Sequence, residues 1–344
     1  MAEAVLTQRA LNRALLARQL LLERASLPLP AALEAIGGLQ AQYAPSMYVG
    51  LWSRLAGLER PALTAALQER AVIQATLMRS TIHLVSRADF WPLALATRTA
   101  RRAAWLRNRP EPVTEAAMAE AARTLRAALG GGTLRRRDVE ALLGKARAQG
   151  VGLWLDLVRV PPAGTWERRR ADLYAAAEQW VGPPVVEPAQ AEELLVRRYL
   201  GGFGPATRAD LANWSGLAPT ALAPVLARLD LRTFRGAGGG ELIDVPDAPL
   251  PDPETPAPVR FLPTWDATLL VHARRTGLLP EEHRPRIFNT RNPHSVAVFL
   301  VDGAVAGGWR HDGGAIRLDP FVALDRATRR SLADEADRLA AFHG

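Results

Sequence analysis

Two glutamines separated by one alanine, Gln40 and Gln42, are the first side chains whose type and spacing suit chemistry. Their amides donate and accept hydrogen bonds but never carry charge, which suits a reaction that needs no strong base. Residues two apart do not share a helix face, but near a helix end both side chains can reach a common cavity. A polar helix end at the protein surface is the alternative interpretation.

A second candidate is the segment 78–85, Met-Arg-Ser-Thr-Ile-His-Leu-Val, which alternates like a strand. In such a strand Arg79, Thr81 and His83 project from one face, while the aliphatic side chains project from the other. A basic polar edge of this kind suits contacts with DNA phosphates. An ordinary half-buried strand is the alternative.

Two runs of three arginines form the third candidate. Arg135, Arg136 and Arg137 open a predicted helix. The second run follows a predicted basic turn that starts at Pro161-Pro162, and it consists of Arg168, Arg169 and Arg170. Both places are where a winged helix meets a phosphate backbone, so the runs favour DNA contacts. A solvated surface without a partner remains the alternative.

Other kinds of chemistry find little support. The chain has no cysteine, which excludes disulfides, thiolate metal sites and a cysteine nucleophile. Its six histidines lack the paired spacing of metal ligands, and no carboxylate cluster resembles a cation site. Phosphate-binding glycine loops and a nucleophile elbow are also missing, so we predict neither a metal nor a cofactor.

Charge points to nucleic acid as the partner. The 344 residues carry a net charge of +8, and residues 173–344 alone have 18 basic and 21 acidic side chains. The positive excess therefore belongs to the first half, which favours a polyanionic partner. No apolar run reaches the roughly 18–20 residues that span a bilayer, and the first residues do not resemble a signal peptide. We expect a cytoplasmic, nucleoid-associated protein without membrane contacts.

The surrounding pattern repeats one order of elements: helices joined by a turn, then a strand pair, which is the order of a winged helix. The clearest unit has helices at 188–199, 208–214 and 219–229, with strands at 231–235 and 241–245. The N-terminal unit has predicted helices at 7–25, 30–39, 45–56 and 60–69, strands at 72–78 and 81–85, and a connecting helix at 88–107. The middle unit has predicted helices at 113–129, 134–144 and 150–159.

The C-terminal part is rich in predicted strands. A proline-rich linker leads into strands 295–301, 304–310 and 315–318, with Asp302-Gly303 as a hairpin turn, and a helix at 325–342. We therefore predict an α+β protein of three tandem winged-helix units and a small β-barrel-like domain. The predicted domains are 1–110, 111–187, 188–246, the linker 247–258, and 259–344.

Five segments, in order along the chain, resemble the winged-helix DNA glycosylases of the AlkZ and YcaQ type. The resemblance spans about residues 8–310. The segments are GLQAQYAPS, RSTIHLV, LANWSGL, FLPTWDATLLVHARR and VFLVDGAVAGGWR. The resemblance implies a C-shaped molecule around a basic channel, with the Gln-apolar-Gln motif on Gln40, Ala41 and Gln42 as the catalytic residues.

By this resemblance, the chain removes alkylated purines from double-stranded DNA, possible substrates being bulky adducts or interstrand crosslinks. Alkylation at N7 or N3 makes the purine cationic and a good leaving group, so two neutral amides that orient a water suffice. The only lysine, Lys145, lies far along the chain, so no β-lyase activity is expected. His83 and Tyr43 are possible channel-lining residues. Four more could line the channel or equally be scaffold of the C-terminal domain: Trp265, Asp266, His272 and Arg275.

A non-catalytic DNA-binding protein, either a regulator or an accessory repair factor, is the alternative function. A regulator of this type normally dimerises to read two half-sites. The sequence has no long heptad or paired-helix segment for that purpose, so we expect a monomer.

Overall fold

The computed structural model describes residues 4–108, 113–270, 277–288 and 295–344. These residues form helices and three separate sheets, so the predicted α+β class is confirmed. In the described part of the chain, no helix is long and apolar enough to cross a membrane.

The N-terminal part contains a bundle of helices, a central strand pair and one long helix. Its first helix is shorter than predicted, because the chain turns after Arg18 and Leu20 takes a left-handed φ of 56°. The elements are β1 (Val5–Leu6), α1 (Gln8–Arg18), α2 (Leu29–Ala35), β2 (Leu39–Gln40), α3 (Ala44–Trp52), α4 (Arg60–Gln68), β3 (Val72–Thr76), β4 (Ile82–Ser86) and α5 (Arg87–Arg107).

The expected position of the glutamine pair at a helix end is wrong. Helix α2 ends early because Gly37 and Gly38 take φ values of 73° and 81°, which turn the chain into strand β2. A Cβ on Gly38 would lie 3.0 Å from Val85 Cγ1 and 3.2 Å from the Leu84 carbonyl oxygen. Only glycine therefore allows β2 to approach β4 closely enough to pair with it.

Gly38→Ala should destabilise the protein by about 1–3 kcal/mol, because it adds backbone strain and a contact against β4. Gly57→Ala is the matched control, since Gly57 has a φ of 64° but nothing within 4 Å of an added Cβ. The measurement is the free energy of unfolding in urea. Equal losses in the two variants would mean that the close approach to β4 contributes nothing.

The middle part joins the N-terminal part in one sheet. Its elements are α6 (Glu115–Leu129), β5 (Leu134–Arg135), α7 (Arg136–Leu143), α8 (Lys145–Gly150), α9 (Gly152–Leu155), β6 (Leu157–Arg159), β7 (Leu173–Ala176) and α10 (Ala177–Trp180). The predicted helix 150–159 is wrong beyond Leu155, because Asp156 has a φ of 53° and the chain enters β6. Strand β6 pairs with β3, giving a six-stranded sheet in the order β2-β4-β3-β6-β7-β5.

The third part follows the predicted order of elements. Thr207 caps its middle helix by accepting a hydrogen bond from the Asp210 amide, and Gly216 ends that helix with a φ of 76°. The elements are α11 (Pro188–Phe203), α12 (Arg208–Ser215), α13 (Pro219–Arg228), β8 (Arg232–Gly236) and β9 (Glu241–Asp244). Strand β1 adds to β8 in parallel, which ties the start of the described chain to this part.

The C-terminal part forms an open sheet rather than the predicted barrel. Its elements are β10 (Arg260–Leu262), α14 (Ala267–Leu270), α15 (Arg284–Ile287), β11 (Val298–Val301), β12 (Ala304–Asp312), β13 (Ala315–Pro320) and α16 (Arg326–His343). Among the described residues the sheet has the order β10-β11-β12-β13, and its two outer strands do not pair. Leu332 and Leu339 of α16 pack with Phe261, Phe299 and Trp309, so a helix covers the apolar face that closure into a barrel would otherwise bury.

Helix α1 links distant parts of the chain through buried charges. Arg18 donates two hydrogen bonds to Asp244 of β9, at 2.6 and 2.9 Å, and both side chains are fully buried. Arg13 pairs with Asp302 in the hairpin between β11 and β12. The N-terminal helix thus fixes the third part and the C-terminal sheet relative to one another.

Candidate active site

The glutamine pair lies at the edge of the six-stranded sheet, against strand β4. Gln40 is opposite His83 in the antiparallel pairing, and the Ala41 amide donates to the Ile82 carbonyl at 2.7 Å. Gln40 is 7% exposed, whereas Gln42 is exposed. Strand β2 ends at Gln40 and Gln42 lies in the bend that follows, so the pair occupies a strand end and a bend rather than a helix end.

Each amide oxygen of the pair is held in place. Gln42 Oε1 accepts a hydrogen bond from the Ile82 backbone N–H at 2.8 Å. Gln40 Oε1 accepts one from Arg79 Nη2 at 3.2 Å. Each oxygen keeps a second lone pair, and each amide nitrogen brings two donors, so the pair retains the capacity to bind a water molecule.

Arg79 does not belong to the strand in which it was predicted. It lies in a 3-10 turn, Met78–Ser80, and takes a left-handed φ of 52°. Its Nη1 donates to the Trp214 carbonyl oxygen at the end of α12, at 2.5 Å. Burial lowers the pKa of Arg79. The side chain therefore bridges the third part of the chain to Gln40, and the expected shared face with Thr81 and His83 is wrong.

His83 is buried, at 3% exposure, beside this turn. Its Nδ1 lies 3.0 Å from the Thr81 carbonyl oxygen. Burial, and next to it the charge of Arg79, lowers the pKa of His83 to about 3, so the imidazole is neutral at physiological pH. A buried neutral ring does not offer the surface phosphate contact that the strand pattern suggested.

The depressed pKa of His83 makes stability depend on pH. Between pH 6.5 and about 3 the unfolded chain binds a proton that the folded chain does not. The free energy of unfolding should fall as pH drops below 6.5, by up to about 1.4 kcal/mol per pH unit from this group. Urea unfolding between about pH 7.5 and pH 5 should show a smaller decline for His83→Gln than for the wild type. Equal declines would contradict this assignment.

One arginine of the first run, Arg135, lies close to the second run beside the sheet. Arg135 of β5 is opposite Leu173 of β7, and the second run lies in the loop between β6 and β7. The arginines line a cavity of about 380 Å³. Four of the six arginines in the two runs line this cavity: Arg135, Arg168, Arg169 and Arg170. Arg136 and Arg137 instead pair with Glu140 and Asp138 at the start of α7.

Arg169 connects this basic cavity to the glutamine pair. Its Nη1 donates to the Tyr43 hydroxyl at 3.0 Å, and Tyr43 directly follows Gln42. Tyr43 is 39% exposed. Arg169, which lines the basic cavity, thus contacts the residue that follows Gln42 in the chain.

The C-terminal candidates differ in position. Asp266 is 3% exposed, and both its carboxylate oxygens are bound by Arg54, at 2.9 and 3.0 Å. It is a buried partner of a guanidinium, so its interpretation as a channel-lining residue is wrong. Trp265 is partly exposed, and its backbone N–H donates to Ser295 Oγ at 2.7 Å. His272 and Arg275 lie outside the described residues.

A pocket next to Tyr43 was not foreseen from the sequence. It has a volume of about 320 Å³ and is lined by residues from α3, the β6–β7 loop, β12 and the end of α16. The rings of His311 and His343 stack there at 4.4 Å between centroids. These histidines are far apart in the sequence and no local pattern pairs them, so only the tertiary structure reveals the pocket.

In the described part of the chain, no group of three or more His, Asp or Glu side chains is placed to hold a metal ion.

The comparisons with known proteins identify the class. The chain matches the family model described as DNA glycosylase AlkZ-like over residues 33–342, which is most of its length. It therefore belongs to the AlkZ-like DNA glycosylase family, as its resemblance predicted, which makes it a DNA repair enzyme by class and implies that it binds DNA.

Among solved structures, the chain is similar to the Streptomyces sahachiroi DNA glycosylase AlkZ. The TM-score is 0.82 and the identity 19%, over 98% of this chain and 97% of that chain. At this level of identity the similarity shows the fold. No curated protein matches the sequence.

Proposed function

We propose that the chain is a monofunctional glycosylase that hydrolyses the N-glycosidic bond of N7- or N3-alkylated purines in duplex DNA. Gln40 and Gln42 are the catalytic residues in this proposal. The observation that carries it is that each amide oxygen has a defined donor, Arg79 for Gln40 and the first residue of β4, Ile82, for Gln42, in a chain of a DNA glycosylase family.

The chemistry fits neutral amides. The bond between the sugar C1′ and the purine nitrogen breaks, and its electrons neutralise the cationic base, which leaves uncharged. A water oxygen adds to C1′ and loses one proton to solvent. Because the departing base needs no protonation, the protein has only to orient the water and stabilise the positive charge that develops on the sugar.

The fixed hydrogen bonds explain how each amide would act. Arg79 donates a hydrogen bond to the oxygen of Gln40, so the guanidinium fixes the orientation of that amide. The amide itself stays neutral. Gln42 is exposed and is anchored by a backbone donor, so its amide can meet a substrate at the surface. In this proposal a water held by the two amides would be oriented before the substrate arrives.

We further propose that three winged-helix units surround the DNA in a C-shape and that the protein acts as a monomer. The units are 1–110, 111–187 and 188–246, followed by the linker 247–258 and the domain 259–344. The cavity lined by arginines supports a phosphate contact between Arg135 of β5 and the β6–β7 loop. Its position next to Tyr43 supports DNA passing the glutamine pair.

Arg170→Ala should weaken binding to duplex DNA about equally across sequences and reduce the slope of log K against log salt by about 1. The side chain of Arg170 is 87% exposed, and its only ion pair among the described residues is a long one, 3.6 Å from Nε to Asp172 Oδ2. Arg330→Ala is the control, an exposed arginine on α16. Fluorescence anisotropy over a salt series measures both. An unchanged slope for Arg170→Ala would mean that Arg170 does not contact a DNA phosphate.

The function is tested by incubating the wild-type protein with duplexes that contain 7-methylguanine, 3-methyladenine or uracil. Release of the methylated bases, with abasic sites and no β-elimination, is the expected result. Efficient uracil release would contradict the mechanism, because uracil is a poor leaving group that needs more help. Tight DNA binding without release of any base would favour the alternative, a non-catalytic DNA-binding protein.

A further inference from the structure

The pocket beside Tyr43 has the composition of a binding site for a flat ring. We call it the aromatic pocket. Its volume of about 320 Å³ lies at the lower end of the range for small-molecule sites, about 300–1,000 Å³. Its aromatic lining comprises Tyr43, Trp166, Trp309, His311 and His343. Such side chains bind planar groups through stacking and edge contacts.

Two buried polar atoms at this pocket have no hydrogen-bond partner among the described residues. They are Ser46 Oγ on α3, a residue that is 4% exposed, and His343 Nε2 at the end of α16. Buried polar groups in proteins are normally hydrogen-bonded, and leaving one unpaired costs about 1–3 kcal/mol. A ligand whose edge carries both donors and acceptors would satisfy these two atoms.

The charge of the lining disfavours a cationic occupant. Arg169 and Arg310 line the pocket, and the guanidinium of Arg60 lies over the Trp166 ring. No carboxylate belongs to the described lining. An alkylated purine that is still attached to DNA is cationic and would be repelled, whereas the same base is neutral once its bond has broken.

We propose that the aromatic pocket binds an uncharged, planar heteroaromatic ring of nucleobase size next to the glutamine pair, with Ser46 and His343 hydrogen-bonding to its edge. The inference rests on the proposed function. The ring has two sources in that reaction: the purine base that is set free, or an uncharged aromatic substituent carried by a bulky alkyl adduct. Both present the same flat, neutral ring to the aromatic pocket.

Two variants and one control test the proposal. Ser46→Leu fills the pocket, and His343→Leu removes the unpaired nitrogen; the second variant serves if the first does not fold, as judged by circular dichroism. Ser331→Leu makes the same change at an exposed position of α16. Equilibrium dialysis with free 7-methylguanine tests the first source. Wild type and Ser331→Leu should bind it at least about ten-fold more tightly than the pocket variants.

Single-turnover release of N7-benzylguanine and N7-methylguanine from duplex DNA tests the second source. There the pocket variants should lower the ratio of the benzyl rate to the methyl rate by at least about ten-fold. If neither the dialysis nor this ratio changes in a folded variant, the proposal is overturned. If wild type binds free 7-methylguanine in dialysis but releases no base, the proposed function fails and the pocket assignment stands.

Discussion

Replacing either Gln40 or Gln42 with alanine is expected to lower the single-turnover rate of 7-methylguanine release by about 10²–10³-fold. The reason is that each amide oxygen has a fixed donor, from Arg79 or from the Ile82 amide, and is positioned before the substrate binds. Because both amides would hold one water, the double variant should be little slower than the poorer single variant. The measurement is the yield of abasic sites over time with protein in excess.

Gln68→Ala is the matched control, because Gln68 is an exposed glutamine on α4 in the same part of the chain. It should release base at the wild-type rate. Duplex affinity, measured by anisotropy, should change little in the glutamine variants, since the arginines supply most of the binding free energy. If the double variant released 7-methylguanine at the wild-type rate, Gln40 and Gln42 would not be catalytic residues.

Gln42→Glu tests whether the reaction needs only a correctly oriented acceptor oxygen at this position or also the neutral amide group. A carboxylate keeps the oxygen that accepts from the Ile82 amide, so this variant should retain more activity than Gln42→Ala. If it is as slow as the alanine variant, the amide nitrogen of Gln42 takes part in the reaction as a donor.

Asp266→Ala should destabilise the protein by about 3–5 kcal/mol, a large part of the roughly 5–15 kcal/mol that holds a domain folded. The side chains of Asp266 and Arg54 are both fully buried, and removing the carboxylate leaves the guanidinium without its counter-charge. Arg54 also donates to the Gly50 carbonyl in α3, the helix that begins next to the glutamine pair. Loss of stability is therefore expected to bring loss of activity with it.

The free energy of unfolding in urea checks this expectation, with Asp312→Ala as the control. Asp312 is exposed, and its replacement should change stability by no more than about 0.5 kcal/mol. The double variant Arg54→Met, Asp266→Leu removes both charges and should regain most of the lost stability. A residue that merely lined a channel would give the opposite pattern: unchanged unfolding and slower base release.

Local signals in the sequence predicted many of the elements correctly. The predicted helix 208–214, which Thr207 caps and Gly216 ends, and the hairpin at Asp302-Gly303 lie where the pattern placed them. Each of these depends on a few neighbouring residues, whose side chains and backbone angles decide the local conformation by themselves. The order of the five segments and the Gln-apolar-Gln motif likewise indicated the family directly.

Local signals failed where a distant contact chose the conformation. The turn at Arg79 looks like a strand in sequence, yet its side chain bridges Gln40 and the Trp214 carbonyl. The chain after Gly38 was predicted to follow a helix end, but pairing with β4 makes it a strand. In both cases hydrogen bonds to residues far away in the sequence outweigh a weak local preference.

The sequence by itself determined the family, the neutral amide pair and the excess of positive charge in the first half, because residue identity carries all three. The tertiary structure alone decided that Asp266 is buried with Arg54, that Arg135 shares a cavity with the second arginine run, and that His311 stacks on His343. These outcomes depend on which faces pack together and which charges lose their contact with water. Packing and desolvation arise between residues that are distant along the chain, so no local pattern encodes them.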